Sequence, residues 1–559
     1  MAEAQAPMGG SGVAETLLAR LRAVDPVQRV GRLDTAYATE ALGEFAASGV
    51  AFAASSAAME TRYYDALREL VACIKPTAGA AAILNEGGIY HGCWLESTGT
   101  INAELLSRFM PNVAANTFTG FARHQREDGL FPYKLTADGP AFSQIQTVTP
   151  LARSVWTHYC LNGRDNGWLA PLYRAMARND AWLAQFRDTR GTGAVEAFCA
   201  FDTGHDLSAR FWHVPDSPAD NDPKRYRRDN PLLPFIAPDL TANIACQRDY
   251  LALIAEALGE DGGAWRQKAA ASRRALFGHC FDAEDGFFYD RDRNGQMVRV
   301  QSDVLLRVLA CEIGDETFFA EALRRYLLNT RKFFAKYPFT SLALDDPRFD
   351  PAFAYNSWCG PTNVLSLIRA PHAFEHHGRH VELTWMLYPI LSALFRADRF
   401  PQTLNPFNGA AGFTETYSPS ILCLLDFVER VSGIMPRADG SVWFTGLVPY
   451  QVEHRDAAHA TAYARRIEGH RFELVNDGIS ATGWRGGAWL FSVPRGVRVV
   501  TDRSGSITGL IGMSVEPVAG DIRTGRGTLA FRIGANEELG LRDGGLVPIR
   551  PSRLTHPTY

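Results

Sequence analysis

Sixty-one Asp and Glu residues in a chain of 559 make carboxylate spacing useless by itself, so local context has to select. Two acids stand out. Asp206 sits in Phe201-Asp202-Thr203-Gly204-His205-Asp206-Leu207-Ser208-Ala209-Arg210-Phe211, a run with glycine and aromatics that reads as a loop between long helices. Glu415 sits in Phe413-Thr414-Glu415-Thr416-Tyr417-Ser418-Pro419, which opens the last helix of a long helical region. A carboxylic acid that protonates a leaving oxygen, paired with a carboxylate that activates water from the opposite face, is what acetal hydrolysis with inversion needs. That mechanism sets the two carboxyl groups roughly 6.5 to 9.5 Å apart, whereas about 5 to 5.5 Å belongs to a retaining displacement. For Glu415 the competing account is an acid at a helix N-terminus, favoured by the dipole.

The Asp206 run resembles the trehalase signature Ser-Gly-Trp-Asp-Phe-Ser-Ser-Arg-Trp and the related run of the family 63 α-glucosidases. Asp206 takes the general-acid position and Arg210 the arginine, while His205 stands where trehalases have tryptophan. Glu415-Thr416-Tyr417, with Pro419 two residues on, resembles the Glu-x-Tyr motif that supplies the general base in the same families. Weaker matches follow in the same order along the chain. Tyr90-His91-Gly92-Cys93-Trp94-Leu95-Glu96-Ser97 resembles a Tyr-Trp-Asp-Ser run, with Leu95 inserted and Glu96 in place of aspartate. Asp128 to Tyr133, Gln146 to Pro150, and Ala237-Pro238-Asp239-Leu240-Thr241-Ala242 resemble the next loops. Tyr355 to Asn363 resembles the Tyr-Trp-Arg-Gly-Pro-Val-Trp run of family 63 and of bacterial mannosylglycerate hydrolases, with Cys359 for the arginine and Asn363 for the final tryptophan.

The resemblance covers about residues 85 to 430. It implies an all-α catalytic domain of the (α/α)6 toroid, six-hairpin type, and an inverting, exo-acting hydrolase of an α-linked glycoside. The substrate would be a disaccharide, a small oligosaccharide or a glycosylated small molecule. Asp206 and Glu415 are then the catalytic pair. Trp94, Trp358 and Tyr417 are candidates for stacking on sugar rings, and Tyr90, Glu96, Gln146, His205, Arg210 and Asn363 for reading hydroxyls. No cofactor and no catalytic metal are implied.

Those residues need a scaffold. Between residues 55 and 433, helical periods alternate with loops rich in Gly, Pro and Asp, the pattern of helical hairpins. Helices are expected over 55–74, 101–125, 147–161, 166–187, 240–258, 263–278, 301–312, 315–328, 357–368, 378–395 and 417–433. Residues 281–290 read as a turn and ribbon between helices. Beyond Pro436, short β-rich runs punctuated by Gly, Asp and Asn predict a small antiparallel β-domain. The expected division is an N-terminal extension at 1–54, disordered at its start and packed on the main domain. A catalytic domain follows at 55–435, then a β-rich C-terminal domain with an unstructured tail from Arg550 at 436–559.

Bulk properties exclude other classes. A net charge of −4 gives no basic field for nucleic acid. No window approaches the ~20 apolar residues of a membrane span. Without a basic and then apolar leader, the expectation is a cytoplasmic protein, with homo-oligomerisation left open. Nine dispersed cysteines read as buried thiols rather than a disulfide framework or a zinc site. His372-Ala373-Phe374-Glu375-His376 matches the H-x-x-E-H pattern of inverted zinc peptidases, but Pro371 starts the run and Gly378 breaks it. An exposed polar loop is the expectation there. The rival functions are a carbohydrate-binding protein that has lost turnover and, behind it, a polysaccharide lyase on the same barrel class.

Overall fold

The computed structural model describes residues 12–77, 81–352, 355, 358–449 and 457–559; the disordered start expected for residues 1–11 lies outside them. Helices α1 (Gly12–Ala23), α2 (Pro26–Val30) and α3 (Ala36–Ala47) precede α4 (Ala57–Ala72). Next come α5 (Ile101–Leu106), α6 (Pro111–Arg123), α7 (Leu151–Leu161), α8 (Asn166–Phe186), α9 (Pro238–Ala257) and α10 (Gly263–Cys280). The helical part ends with α11 (Val304–Leu309), α12 (Glu316–Ala322), α13 (Val364–Leu367), α14 (Ala370–His376), α15 (His380–Arg396) and α16 (Ser418–Ser432).

Local signals set many of these boundaries. Side-chain caps from Ser56, Asp165 and Asp315 accept backbone N–H groups at the starts of α4, α8 and α12. Proline opens α6, α9, α14 and α16, where its missing N–H costs nothing. Pro111 also explains why the single helix expected over 101–125 is two, since the residue before proline is driven out of helical geometry. The loop expected around His372 is instead α14, because Pro371 falls at its tolerated first turn.

Packing puts the helices in two sets. In one, α5 lies on α7, α7 on α9, α9 on α11, α11 on α14, α13 on α14 and α16, and α16 back on α5. In the other, α4 flanks α16, α6 flanks α5 and α7, α8 flanks α7 and α9, α10 flanks α9, and α15 flanks α14 and α16. Every residue of α16 is buried, as expected of a helix enclosed on all sides.

Two antiparallel sheets make up the C-terminal region. One has strands Thr461–Ile467, His470–Asn476, Ser480–Arg485, Ala488–Pro494, Val518–Thr524 and Gly527–Ile533 in sequence, with Ala51–Ala54 added at the edge against Thr461–Ile467. The other runs Ile434–Pro436, Val442–Thr445, Val497–Thr501, Ile507–Gly512, Glu538–Arg542 and Gly545–Arg550. Phe444 of the second touches Phe472 and Phe491 of the first. The N-terminal segment thus divides its packing, with α1 on the first sheet and α2 and α3 on α4. The tail, expected to be unstructured, is tied down: Thr330 donates its N–H to Thr558 O at 2.9 Å, and Thr555 donates to Glu382 at 2.9 Å. Among the described residues no helix is long and apolar enough to cross a membrane.

Burying α16 also buries Asp426 and Glu429, and their charges are met from both sides. Arg108 pairs with both, Arg430 with Asp426, and Arg465 of strand Thr461–Ile467 with Glu429. Glu429 therefore joins the helical and β-rich parts. Glu429→Ala should cost about 3–5 kcal/mol in urea unfolding, because two buried guanidiniums lose a partner, while turnover per folded molecule stays at the wild-type level.

Candidate active site

The helices of the first set share a property at one end: the candidate residues lie at their N-termini. Glu96 and Ser97 lead into α5, Gln146 into α7, and Glu415 into α16, for which Tyr417 is the N-cap. Asp239 lies in the first turn of α9, Asp303 directly precedes α11, and Asn363 caps α13 with its side chain. Helix N-termini carry partial positive charge and unpaired N–H groups, which suits a site rich in acids.

The loop bearing Asp206 is irregular, and buried polar bonds fix it. Asp202, fully buried, accepts from Arg187 at 2.5 and 3.2 Å, from Phe198 N at 2.7 Å and from Ile145 N at 3.1 Å, which ties this loop to the one carrying Gln146. Arg210 donates to both oxygens of Asp239 at 2.9 and 3.0 Å and to both of Asp290 at 2.7 and 2.8 Å. It also donates to His205 Nδ1 at 2.7 Å. Arginine can only donate, so the neutral ring carries its proton on Nε2, 3.0 Å from Asp303. Burial, reinforced by the neighbouring Arg307, pushes His205 down to about 3. Burial would raise Asp239, but Arg210 holds it well below the usual carboxylate range. Arg210 thus spends its donors on protein carboxylates and His205, which gives it the geometry of a positioning residue.

His205 and Trp358 are in ring contact at 4.5 Å, and the Arg307 guanidinium lies 4.6 Å from the Trp358 ring. Glu96 packs against the turn before Asp206. A Cβ on Gly204 would fall 1.4 Å from Glu96 Oε2, and φ at Gly204 is +63°, so glycine is required there twice over. Burial raises Glu96 to about 8 despite Arg307 and Arg369, with Asp206 and Glu86 adding to the rise.

A second group forms around Tyr90. Its ring meets Trp94 at 5.6 Å and Tyr417 at 5.7 Å, and its hydroxyl donates to Gln402 Oε1 at 2.8 Å. Tyr417 is buried and donates to Glu86 at 2.6 Å. Burial raises the pKa of Tyr90, and Asp206 lies close enough to add to the rise, as it does at Glu96. Glu415 is exposed; burial raises the pKa of Glu69 on α4, and the nearby Asp65 and Glu415 add to it. Thr414 and Thr416 on either side of it have φ of +61° and +49°, and Leu207 beside Asp206 has +57°. Gln146 has +44°. Non-glycine residues in this region are strained and concentrate at functional sites. The Glu415 loop rests on glycine: a Cβ at Gly87 would lie 2.2 Å from Thr416 O, and one at Gly88 2.5 Å from Glu415 O.

Several buried polar atoms here have no hydrogen-bond partner among the described residues. They are Glu96 Oε2, Gln146 Oε1, Trp358 Nε1, Asn363 Nδ2, Arg307 Nε and Nη2, and Arg369 Nη1. Such atoms are costly unless a ligand or water meets them. Asn363 uses its Oδ1 on Leu365 N at 3.0 Å. Asn356 and Ser357 of the Tyr355–Asn363 run lie outside the described residues. Sequence reading missed Glu86, Asp303, Arg307 and Arg369, none of which sits in a motif; Asp290 lay in a run read as structural. The H-x-x-E-H residues separate to different partners. Glu375 pairs with Arg430 and Arg437, His372 with Glu104, and His376 approaches Glu312. No group of three or more His, Cys, Asp or Glu among the described residues is placed to hold a metal ion.

A family match shows that this chain is a glycoside hydrolase. Residues 90–420 match the family described as "Mannosylglycerate hydrolase MGH1-like glycoside hydrolase domain", and the chain belongs to that family. Among solved structures, the family 63 mannosylglycerate hydrolase of Thermus thermophilus, in complex with Tris and D-glycerate, is 17% identical with a TM-score of 0.55. That match covers 65% of this chain and 99% of the other. A sialidase aligns over 87% of this chain and 44% of its own at 13% identity and TM-score 0.57. The neutral trehalase of Saccharomyces cerevisiae aligns over 62% and 73% at 13% and 0.50. At these identities the likeness concerns the fold. No curated protein matches the sequence.

Glu96 supplies a test of the site's electrostatics. Its folded pKa is about 8, against about 4.3 unfolded, so the folded protein binds more protons between those values and loses stability as pH rises through them. Glu96→Gln should therefore lose less stability than the wild type between about pH 5 and 8 in thermal unfolding. Parallel curves would mean that Glu96 is ionised in the folded protein.

Proposed function

We propose that this protein is an inverting, exo-acting hydrolase of an α-linked disaccharide, small oligosaccharide or glycosylated small molecule. Asp206 is the general acid and Glu415 the general base. The observation that carries this reading is the set of partnerless buried polar atoms on Glu96, Gln146, Trp358 and Asn363, which lie on the segments leading into α5, α7 and α13. A polyhydroxylated ring would satisfy them. The cycle α5–α7–α9–α11–α14–α13–α16 and its flanking helices support a closed (α/α)6 toroid, which we read as a catalytic domain over 55–435 followed by a β-rich domain.

In this mechanism Asp206 donates its proton to the glycosidic oxygen as the bond to the anomeric carbon breaks. Water attacks the opposite face and gives its proton to Glu415. His205 and Arg210 hold the acid loop, and Tyr90, Trp94 and Tyr417 form one wall for the sugar ring. The solved structure of a mannosylglycerate hydrolase makes a glycosylated small acid one substrate to test. Free donors on Arg307 and Arg369 suit such an aglycone.

The panel is trehalose, mannosylglycerate and methyl α-glycosides. Hydrolysis should release the β-anomer first, seen by NMR. Asp206→Asn and Glu415→Gln should each lose at least ~10² in turnover with unfolding curves close to wild type. Near-full activity in either variant on a substrate the wild type cleaves removes that residue from the mechanism, and release of the α-anomer removes inversion.

A further inference from the structure

Cys359 stands where the family motif has an arginine, and its surroundings give it a different task. It is 3% exposed and packs with Ala209, Val300 and Leu342. Its Sγ lies 3.2 Å from Leu207 O, to which the thiol donates, and accepts the Ala209 N–H at 3.1 Å. The two bonded groups lie one and three residues after Asp206, and Leu207 itself is left-handed at +57°. Trp212 Nε1 also donates to Leu207 O, at 3.2 Å. Cys359 is itself pinned: its carbonyl accepts from Asp350 N at 2.8 Å, and the next residue, Gly360, donates to Ser341 Oγ at 3.0 Å.

We propose that the Cys359 thiol is a positioning residue that clips the turn after Asp206, so that the loop is held by His205 on one side of the acid and by sulfur on the other. The inference rests on Asp206 as general acid. One S–H group both gives and receives a hydrogen bond here, which only the protonated thiol can do. Burial pushes Cys359 up to about 11, so the thiol persists across the working pH range. A sulfur also reaches farther than a hydroxyl, which fits bonds to two backbone groups two residues apart. Positioning errors of about 1 Å can cost on the order of 10² in rate, so a loosened clip should register in kcat.

The direct readout is amide hydrogen exchange by mass spectrometry over the peptide containing Leu207 to Phe211. Cys359→Ala should speed exchange there several-fold while leaving the β-rich domain unchanged. Cys359→Ser should lie between Cys359→Ala and the wild type. In kinetics, Cys359→Ala should lower kcat about 10-fold on methyl α-mannoside or methyl α-glucoside with KM little changed, by loss of part of the acid's contribution. The loss should be much smaller on α-mannosyl or α-glucosyl fluoride, whose leaving group needs no protonation. Unchanged exchange overturns the clip. Faster exchange with an equal loss of kcat on both kinds of substrate, or with no loss, overturns its role in positioning the acid. If Asp206→Asn itself shows no dependence on the leaving group, the assignment of Asp206 falls, and the exchange result still decides whether the thiol holds the turn.

Discussion

A single buried guanidinium holds this site in shape. Arg210 bridges Asp239, at the start of α9, and Asp290, on a short strand, while directing the His205 ring beside Asp206. All four groups are at most 2% exposed. Each would be heavily penalised alone, and their mutual bonds are what make their burial tolerable. The consequence is geometric: an irregular loop, with Gly204 and Leu207 in left-handed conformations, is fixed by side-chain bonds in place of a helical ladder. Asp202 with Arg187, and Arg307 donating to Thr203 O at 2.6 Å, extend the same restraint along the loop. The half-buried acid then sits at the edge of solvent, between the buried His205 and the exposed Leu207.

The helices explain why such a loop can exist at all. The loops entering α5, α7, α14 and α16 are bonded to one another, Thr149 and Arg369 donating to Glu96 O and Ser97 and Tyr417 to Glu86, so they contribute to one region. Loops carry the chemistry and helices fix their feet, the usual division of labour in enzymes. The opposite end has another character. There Arg430, Arg437, Glu375, Glu104 and His372 line a cavity of about 480 Å³, mostly in ion pairs with one another. That arrangement accounts for the histidine and glutamate run that resembled a metal motif in sequence.

Much of the scaffold was legible in sequence because its signals are local. Periodicity marked the helix pairs, and texture marked the change to strands after Pro436. Features set by distant partners were not legible. Nothing local in Ala51–Ala54 says that it will extend a sheet formed about 400 residues later, and the period of α16 reads as amphipathic although the helix is buried all round. The site followed the same rule. Asp206 stood out by a loop flanked with glycine and aromatics, and Glu415 by its likeness to the Glu-x-Tyr motif, since its local context alone equally fits an acid at a helix N-terminus. Arg210 read as a substrate contact because its carboxylate partners are 29 and 80 residues away. Arg307 and Arg369, on or beside helices in apolar surroundings, carried no local mark, and only the fold reveals their unpaired donors.

The central claim is that Asp206 and Glu415 flank one sugar-binding site. It is tested most directly by a crystal structure of the wild-type protein with an iminosugar, deoxymannojirimycin or deoxynojirimycin, bound. The account predicts the ring between the two carboxyl groups, with Asp206 and Glu415 on opposite faces and roughly 6.5 to 9.5 Å apart. A separation near about 5 to 5.5 Å would make Glu415 a nucleophile and the enzyme retaining. A sugar bound elsewhere, or carboxyl groups more than ~15 Å apart and so unable to flank one glycosidic bond, would contradict the account.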